Sequence, residues 1–198
     1  MRESKFGHIC VFCGSTFGAR AAYREAAVTL GRLIAERGIG LVYGGGSVGL
    51  MGVVADSALA CNGTVHGVIP EALSAKEIAH QKLTRMDVVP NMHARKARLM
   101  ELTDAFVALP GGYGTLEELF EVTAWAQLGL HRKPIALLNV SGYFDSLIRL
   151  IDGAVAEGFV EPLYRRIITS ADTPAGVLEA LERHEPPTVP RYITARDT

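Results

Sequence analysis

With 198 residues, the chain is long enough to bury a sizeable core within one domain. Its 48% apolar and 21% charged content is the balance of an ordinary soluble globular protein. A net charge of −1 speaks against a strongly basic nucleic-acid binder, and no apolar run reaches the roughly 18 residues of a membrane span.

Met1-Arg2-Glu3-Ser4-Lys5 runs straight into a strand-like stretch without the apolar h-region of a signal peptide, so a cytoplasmic location is expected. The first predicted strand is Ile9–Cys13. Its Cys10 and Cys13 have the C-x-x-C spacing of redox or metal sites, but a strand sends residues three apart to opposite faces. They read as packing residues. Together with Cys61 they make an odd, widely spread set of three, which argues against a disulfide framework. The six histidines form no H-E-x-x-H or other dense cluster, so no metal site is expected.

Ala21–Arg37 reads as the first helix, closed by Gly38, and Gly40–Tyr43 as the second strand. A helix at Leu50–Asn62, stopped by Gly63, leads to a strand at Val65–Ile69. The stretch from Pro70 to Gln81 is less regular, a loop or short helix over the site. Then come strand Arg85–Val89, helix His93–Thr103, strand Ala105–Leu109, helix Leu116–Leu130 and strand Ile135–Asn139. Helix Tyr143–Glu157, a weaker strand at Ile167–Ser170 and helix Pro174–His184 complete the series, with Pro174 suited to a first turn. Short, nearly unbroken apolar strands are what a sheet covered on both faces requires. The alternation predicts a single-domain, doubly wound (Rossmann-like) α/β fold: a parallel sheet of about seven strands over residues 1–185. Residues 186–198 form a Pro-containing tail that cannot continue a helix.

In a parallel sheet every strand-to-helix loop emerges at the carboxyl edge. Two of these loops are rich in glycine: Gly44–Gly52 after Leu41-Val42-Tyr43, and Pro110–Thr115 after Phe106-Val107-Ala108-Leu109. Glycine allows close backbone approach, and the free N–H groups of the following helix can hold a phosphate. Gly44-x-Gly46-x-x-Gly49 also matches the dinucleotide fingerprint, with Glu71 about twenty residues on, which keeps an NAD-type binder as an alternative. That fingerprint usually occupies the first strand-to-helix turn, here Gly14-Ser15-Thr16, which lacks it. A Walker A lysine, a G-x-S-x-G elbow and a kinase signature are all missing, which disfavours phosphoryl transfer and serine hydrolysis.

Charged residues gather around the second loop. Glu117, Glu118 and Glu121 sit in the first two turns of its helix, where the dipole favours acids. Glu118 and Glu121 are three apart and are expected to share a face, with Glu117 turned about 100° away. Arg95, Lys96 and Arg98 open the preceding helix at the same edge, and His93 reads as a capping or surface residue.

Pro110-Gly111-Gly112-x-Gly114-Thr115-x-x-Glu118, preceded by Arg95-Lys96, resembles the signature of the LONELY GUY (LOG) family, the cytokinin-activating phosphoribohydrolases. Cys13-Gly14-Ser15, Leu41 through Gly46, Gly49-Leu50-Met51-Gly52, Gly67 through Pro70 and Trp125 through Gly129 fit as well. The resemblance therefore spans nearly the whole chain to about residue 170. It implies hydrolysis of the N-glycosidic bond of cytokinin riboside 5′-monophosphates, and of AMP as in many bacterial members, to free base and ribose 5-phosphate. It implies Arg95 and Glu118 as the catalytic pair. Expected nucleotide contacts are Ser15, Gly45, Gly46, Glu77, Met92 and Lys96, with Gly111, Gly112, Tyr113, Gly114, Thr115, Leu116, Glu117 and Glu121. Arg98 is not fixed by the motif and is not carried over. The resemblance further implies a homodimer or higher homo-oligomer, a small-molecule nucleoside monophosphate as the bound partner, and no metal, organic cofactor, nucleic acid or membrane. Members are often labelled lysine decarboxylases, but no pyridoxal phosphate site is legible here. An NAD(P)-binding protein and a nucleotide sensor without turnover are the competing readings.

Overall fold

Short aliphatic runs separated by helix-length segments assemble into a seven-stranded sheet whose neighbouring strands all pair in parallel. The computed structural model describes residues 4–74 and 79–190. In chain order the first half comprises β1 (His8–Phe12), α1 (Ala21–Glu36), β2 (Gly40–Tyr43), α2 (Gly49–Ala60), β3 (Val65–Pro70), α3 (Glu71–Ser74) and β4 (Arg85–Val89). The second half comprises α4 (Met92–Glu101), β5 (Ala105–Ala108), α5 (Tyr113–Gln127), β6 (Ile135–Leu138), α6 (Asp145–Ala156), α7 (Pro162–Arg165), β7 (Ile168–Ala171) and α8 (Pro174–Arg183). All seven expected strands are present, with ends displaced by no more than one residue.

The spatial order is β4-β3-β2-β1-β5-β6-β7. The chain starts in the middle of the sheet, builds outward to β4, then returns along α4 to resume beside β1. The carboxyl ends of β1 and β5 therefore form the topological switch point, where outgoing loops diverge and open a crevice. One core joins a face of the sheet to α1, α2 and α8 through residues such as Leu30, Ile34, Val54 and Leu178. A second core on the other face gathers Leu99 of α4, Leu119 and Val122 of α5, and Phe144. Cys10 belongs to the second core and Cys13 to the first, both as buried free thiols, as the period of two requires.

Three local differences from the sequence reading have simple causes. α5 starts at Tyr113 rather than Leu116 because its first turn holds exposed Tyr113 and Gly114 and the polar Thr115, so its apolar periodicity begins a turn late. The helix expected from Tyr143 begins at Asp145, after a 3-10 turn at Val140–Gly142 in which Ser141 adopts φ 54°. The single-turn α7 is too short to show a period. The Pro70–Gln81 stretch carries α3, and Ala79 forms an antiparallel bridge with Gly46. The Pro-containing tail leaves α8 near His184; Arg132 Nη2 donates to Pro186 O at 3.2 Å, and residues 191–198 lie outside the described part. Among the described residues no helix is long and apolar enough to cross a membrane.

Candidate active site

Three carboxyl-edge loops, from β2, β1 and β5, are stitched together by backbone bonds. Gly14 N donates to Pro110 O at 3.1 Å, and Leu50 N donates to Gly14 O at 3.0 Å. Gly49 has φ +60°, and a Cβ there would lie 2.2 Å from the Ser15 carbonyl carbon, so only glycine lets α2 begin against that loop. This contact bears on the dinucleotide alternative. The start of α2, where that fingerprint would seat a pyrophosphate, is covered by Ser15 and Thr16, and its Leu50 N–H is already committed to Gly14. The start of α5 is built differently. Gly112 is its extended N-cap, and the first intrahelical bond runs from Leu116 N to Gly112 O at 3.1 Å. The N–H groups of Tyr113, Gly114 and Thr115 thus precede the helical ladder and can face an anion.

A cleft of about 240 Å³ opens at this point. Expected site residues on its wall are Ser15, Gly46, Arg95, Glu118 and the run Gly112, Tyr113, Gly114 and Thr115. Cys13, Gly44, Met51, Ile69 and Leu73 complete it. Cys13, Gly44, Met51 and Ile69 lie in segments that fit the family resemblance and Leu73 in the irregular stretch after Pro70. None of them is an expected nucleotide contact, because each reads as a packing or turn residue until the loops converge. On the other side of the Pro110–Gly112 loop lies a second cavity of about 220 Å³, bordered by Gly111 and by Phe17, Tyr23, Leu50 and Tyr143. The Tyr143 hydroxyl donates to Gly111 O.

Within the cleft Arg95 Nη2 lies 3.3 Å from Glu118 Oε1, and each side chain is only 11% exposed. Asn91 caps α4 by accepting from Ala94 N at 2.9 Å, which starts the helix so that Arg95 points inward. Arg95 Nε donates to Val68 O at 3.2 Å, Nη2 to Gly44 O at 3.5 Å, and Nη1 approaches Met92 Sδ at 3.8 Å. Gly44 makes room for this guanidinium: a Cβ on it would sit 2.0 Å from Nη2. Burial pushes the Glu118 carboxyl up to about 7, with Arg95 opposing and Glu117 and Glu121 adding to the rise.

Successive residues of α4 turn about 100°, so its three cations diverge. Arg95 enters the cleft. Lys96 bridges Glu117 at 2.7 Å and Glu121 at 2.8 Å, and these bonds raise its ammonium above the ordinary lysine value. Arg98 turns away to Asp87 of β4 at 2.8 Å and to Glu101 at 2.9 Å. The acids of α5 therefore divide differently from the expected grouping. Glu121 joins Glu117, four residues apart across Lys96, while Glu118 faces Arg95 alone. Lys96, Glu117 and Glu121 stand behind the Arg95–Glu118 pair rather than on the cleft wall, and Leu116 packs against the second core. Gly45 has φ +74° and turns the loop at the cleft margin. His93 is exposed on the first turn of α4, and Glu77 lies outside the described residues.

Fold and cleft together define a doubly wound α/β protein with an open helix start and a buried arginine–carboxylate pair at its switch point. A family model described as "Possible lysine decarboxylase" matches residues 51–181. The chain is 53% identical over 184 residues to the cytokinin riboside 5′-monophosphate phosphoribohydrolase LOG7 of Arabidopsis thaliana, covering 93% of this chain and 85% of that one. It is 54% identical to the probable cytokinin riboside 5′-monophosphate phosphoribohydrolase LOGL5 of Oryza sativa subsp. japonica, covering 93% and 75%. The chain belongs to this LONELY GUY family. Its fold is also that of a molybdenum cofactor binding protein from Rippkaea orientalis, with TM-score 0.67 and 24% identity over 90% and 95% of the two chains. The Moco carrier protein of Chlamydomonas reinhardtii matches at TM-score 0.68 and 22% identity, over 92% and 97%.

Proposed function

We propose that this protein hydrolyses the N-glycosidic bond of cytokinin riboside 5′-monophosphates, and of AMP, to free base and ribose 5-phosphate. The observation that carries this reading is the buried Arg95–Glu118 pair placed beside the open start of α5. The 5′-phosphate docks on the N–H groups of Gly112 to Thr115, and this remote binding energy holds the ribose against Glu118. As the ribosyl bond breaks, positive charge builds on the sugar. The Glu118 carboxylate stabilises that charge and accepts a proton from the attacking water, whose oxygen bonds to the anomeric carbon as the C–N bond breaks. That same proton passes to the departing base, which restores the carboxylate. A carboxyl held at about 7 is suited to giving and taking a proton near neutral pH. Arg95 keeps this buried carboxylate ionisable and orients it. Lys96 offsets one of the two negative charges of Glu117 and Glu121, which lessens their repulsion of the phosphate.

Base release from AMP and from N6-isopentenyladenosine monophosphate, followed by chromatography, tests the reading. Wild type is expected to release both bases, and Glu118→Gln to lose about 10²–10⁴-fold in kcat while still binding nucleotide. Binding without release by wild type would leave only the sensor reading.

The protein is further read as a cytoplasmic homodimer. Three free thiols fit a reducing compartment. Phe120 of α5 is 44% exposed and Leu150 of α6 is 67% exposed, apolar surface that a partner helix would cover.

A further inference from the structure

Beyond the end of β2 the Gly44–Gly46 loop has no ladder of its own, yet it supplies one of the two carbonyls that receive Arg95, the other being Val68 O. What steadies it is a short stretch brought in from after α3. Ala79 bridges Gly46, and His80 N donates to Gly45 O at 2.9 Å. The His80 side chain is 7% exposed and is held at both ring nitrogens. Lys82 N donates to Nδ1 at 3.2 Å, so Nδ1 is the bare nitrogen and Nε2 carries the proton. Nε2 then donates to Asp56 Oδ1 at 3.0 Å. Asp56 rides on α2, the helix that begins at Gly49 directly after the same loop. The loop is thus gripped twice from one rigid element: covalently at its end, and through the Asp56–His80 bond across its middle.

We infer that His80 is a positioning residue for the reaction, fastened by Asp56 so that Gly45 and Gly46 are held and Gly44 O keeps Arg95 beside Glu118. This rests on the hydrolase reading above. It differs from a plain core contact in its prediction: loosening the clamp misplaces Arg95, which orients Glu118 toward the ribosyl bond, and leaves the α5 phosphate seat intact. The loss therefore falls on kcat rather than on KM.

The test is steady-state base release from AMP by wild type, H80A, D56A, H80Q and the H80A/D56A double variant, with thermal midpoints measured alongside. H80A and D56A are each expected to lower kcat roughly tenfold, the scale of one charge-assisted hydrogen bond, with KM little changed. The double variant should be no worse than the weaker single, because both remove one interaction. H80Q, whose amide N–H can reach Asp56, should recover most of the loss. Asp56 is 70% exposed at its side chain, so D56A keeps the test open should H80A fail to fold. Wild-type kcat in D56A, losses that multiply in the double variant, or a defect confined to KM would overturn the inference. Absence of base release by wild type would instead sink the hydrolase reading, and the clamp's role with it.

Discussion

A carboxyl poised at about 7 has two consequences with opposite signs, and Glu118 shows both. In the proposed reaction the ionised form is required, so base release should rise with pH through about 7 and level off above it. For stability the ionised form is the unfavourable one, because burial dominates over the pull of Arg95. The folded-state value is raised above the unfolded one, so this contribution is fully present below about 4.5 and lost as pH rises through about 7. Urea unfolding at about pH 5 and about pH 8 checks the sign: Glu118→Gln should flatten the fall seen in wild type between them. An unchanged pH slope in the variant would show that Glu118 is not the group responsible. Arg98 illustrates what residue-level reading could already discard. It stood outside the motif, and it spends its guanidinium on Asp87 and Glu101.

At the scale of elements, the glycines of the carboxyl-edge loops separate into two kinds with different expected phenotypes. Gly49 combines a positive φ with a backbone contact that admits no side chain, so Gly49→Ala should cost about 1–3 kcal/mol or more of stability, read as a lower urea midpoint. Gly44 meets only the Arg95 side chain. Gly44→Ala should therefore fold with a near-normal midpoint yet lose about 10²-fold in kcat, because the guanidinium has to leave its place. If both variants lost stability and activity together, the distinction between a packing glycine and a site glycine would fail. The Gly-rich composition of both loops was plain in the sequence, whereas their unequal roles were not. Gly44-x-Gly46-x-x-Gly49 looks like the better phosphate loop on paper, but the β1 loop occupies the start of its helix. Pro110–Thr115 leads into the helix whose start stays open to the cleft.

At the scale of the whole molecule, the helices over the second core carry exposed apolar residues. α6 has no fully buried residue despite Leu147, Ile148, Leu150 and Ile151, and Phe159 just beyond it is 85% exposed. Phe120 of α5, a helix that packs on the same core, is 44% exposed. For the proposed homodimer, Phe120→Glu should shift sedimentation toward the monomer mass, since an unpaired charge in an apolar interface is costly to bury. A wild-type chain that sediments as a monomer would remove the dimer reading.

Local chemistry determined much of this protein. Apolar runs alternating with amphipathic segments specified seven strands and the longer helices, because burial on both faces leaves a periodic trace in composition. The period of two sent Cys10 and Cys13 to separate cores. Arg95 and Glu118 were legible only through their motif, for nothing in their spacing brings them together. That meeting depends on strand order, which places β5 beside β1 and lays α4 against β3, so that Val68 O and Gly44 O can receive the guanidinium. Only the tertiary structure decided that Lys96 would bridge Glu117 and Glu121, that Glu118 would stand apart from them, and that Asp56 would hold His80. Contacts of this kind join residues far apart in the chain, and their energies depend on burial and distance, which no local pattern records.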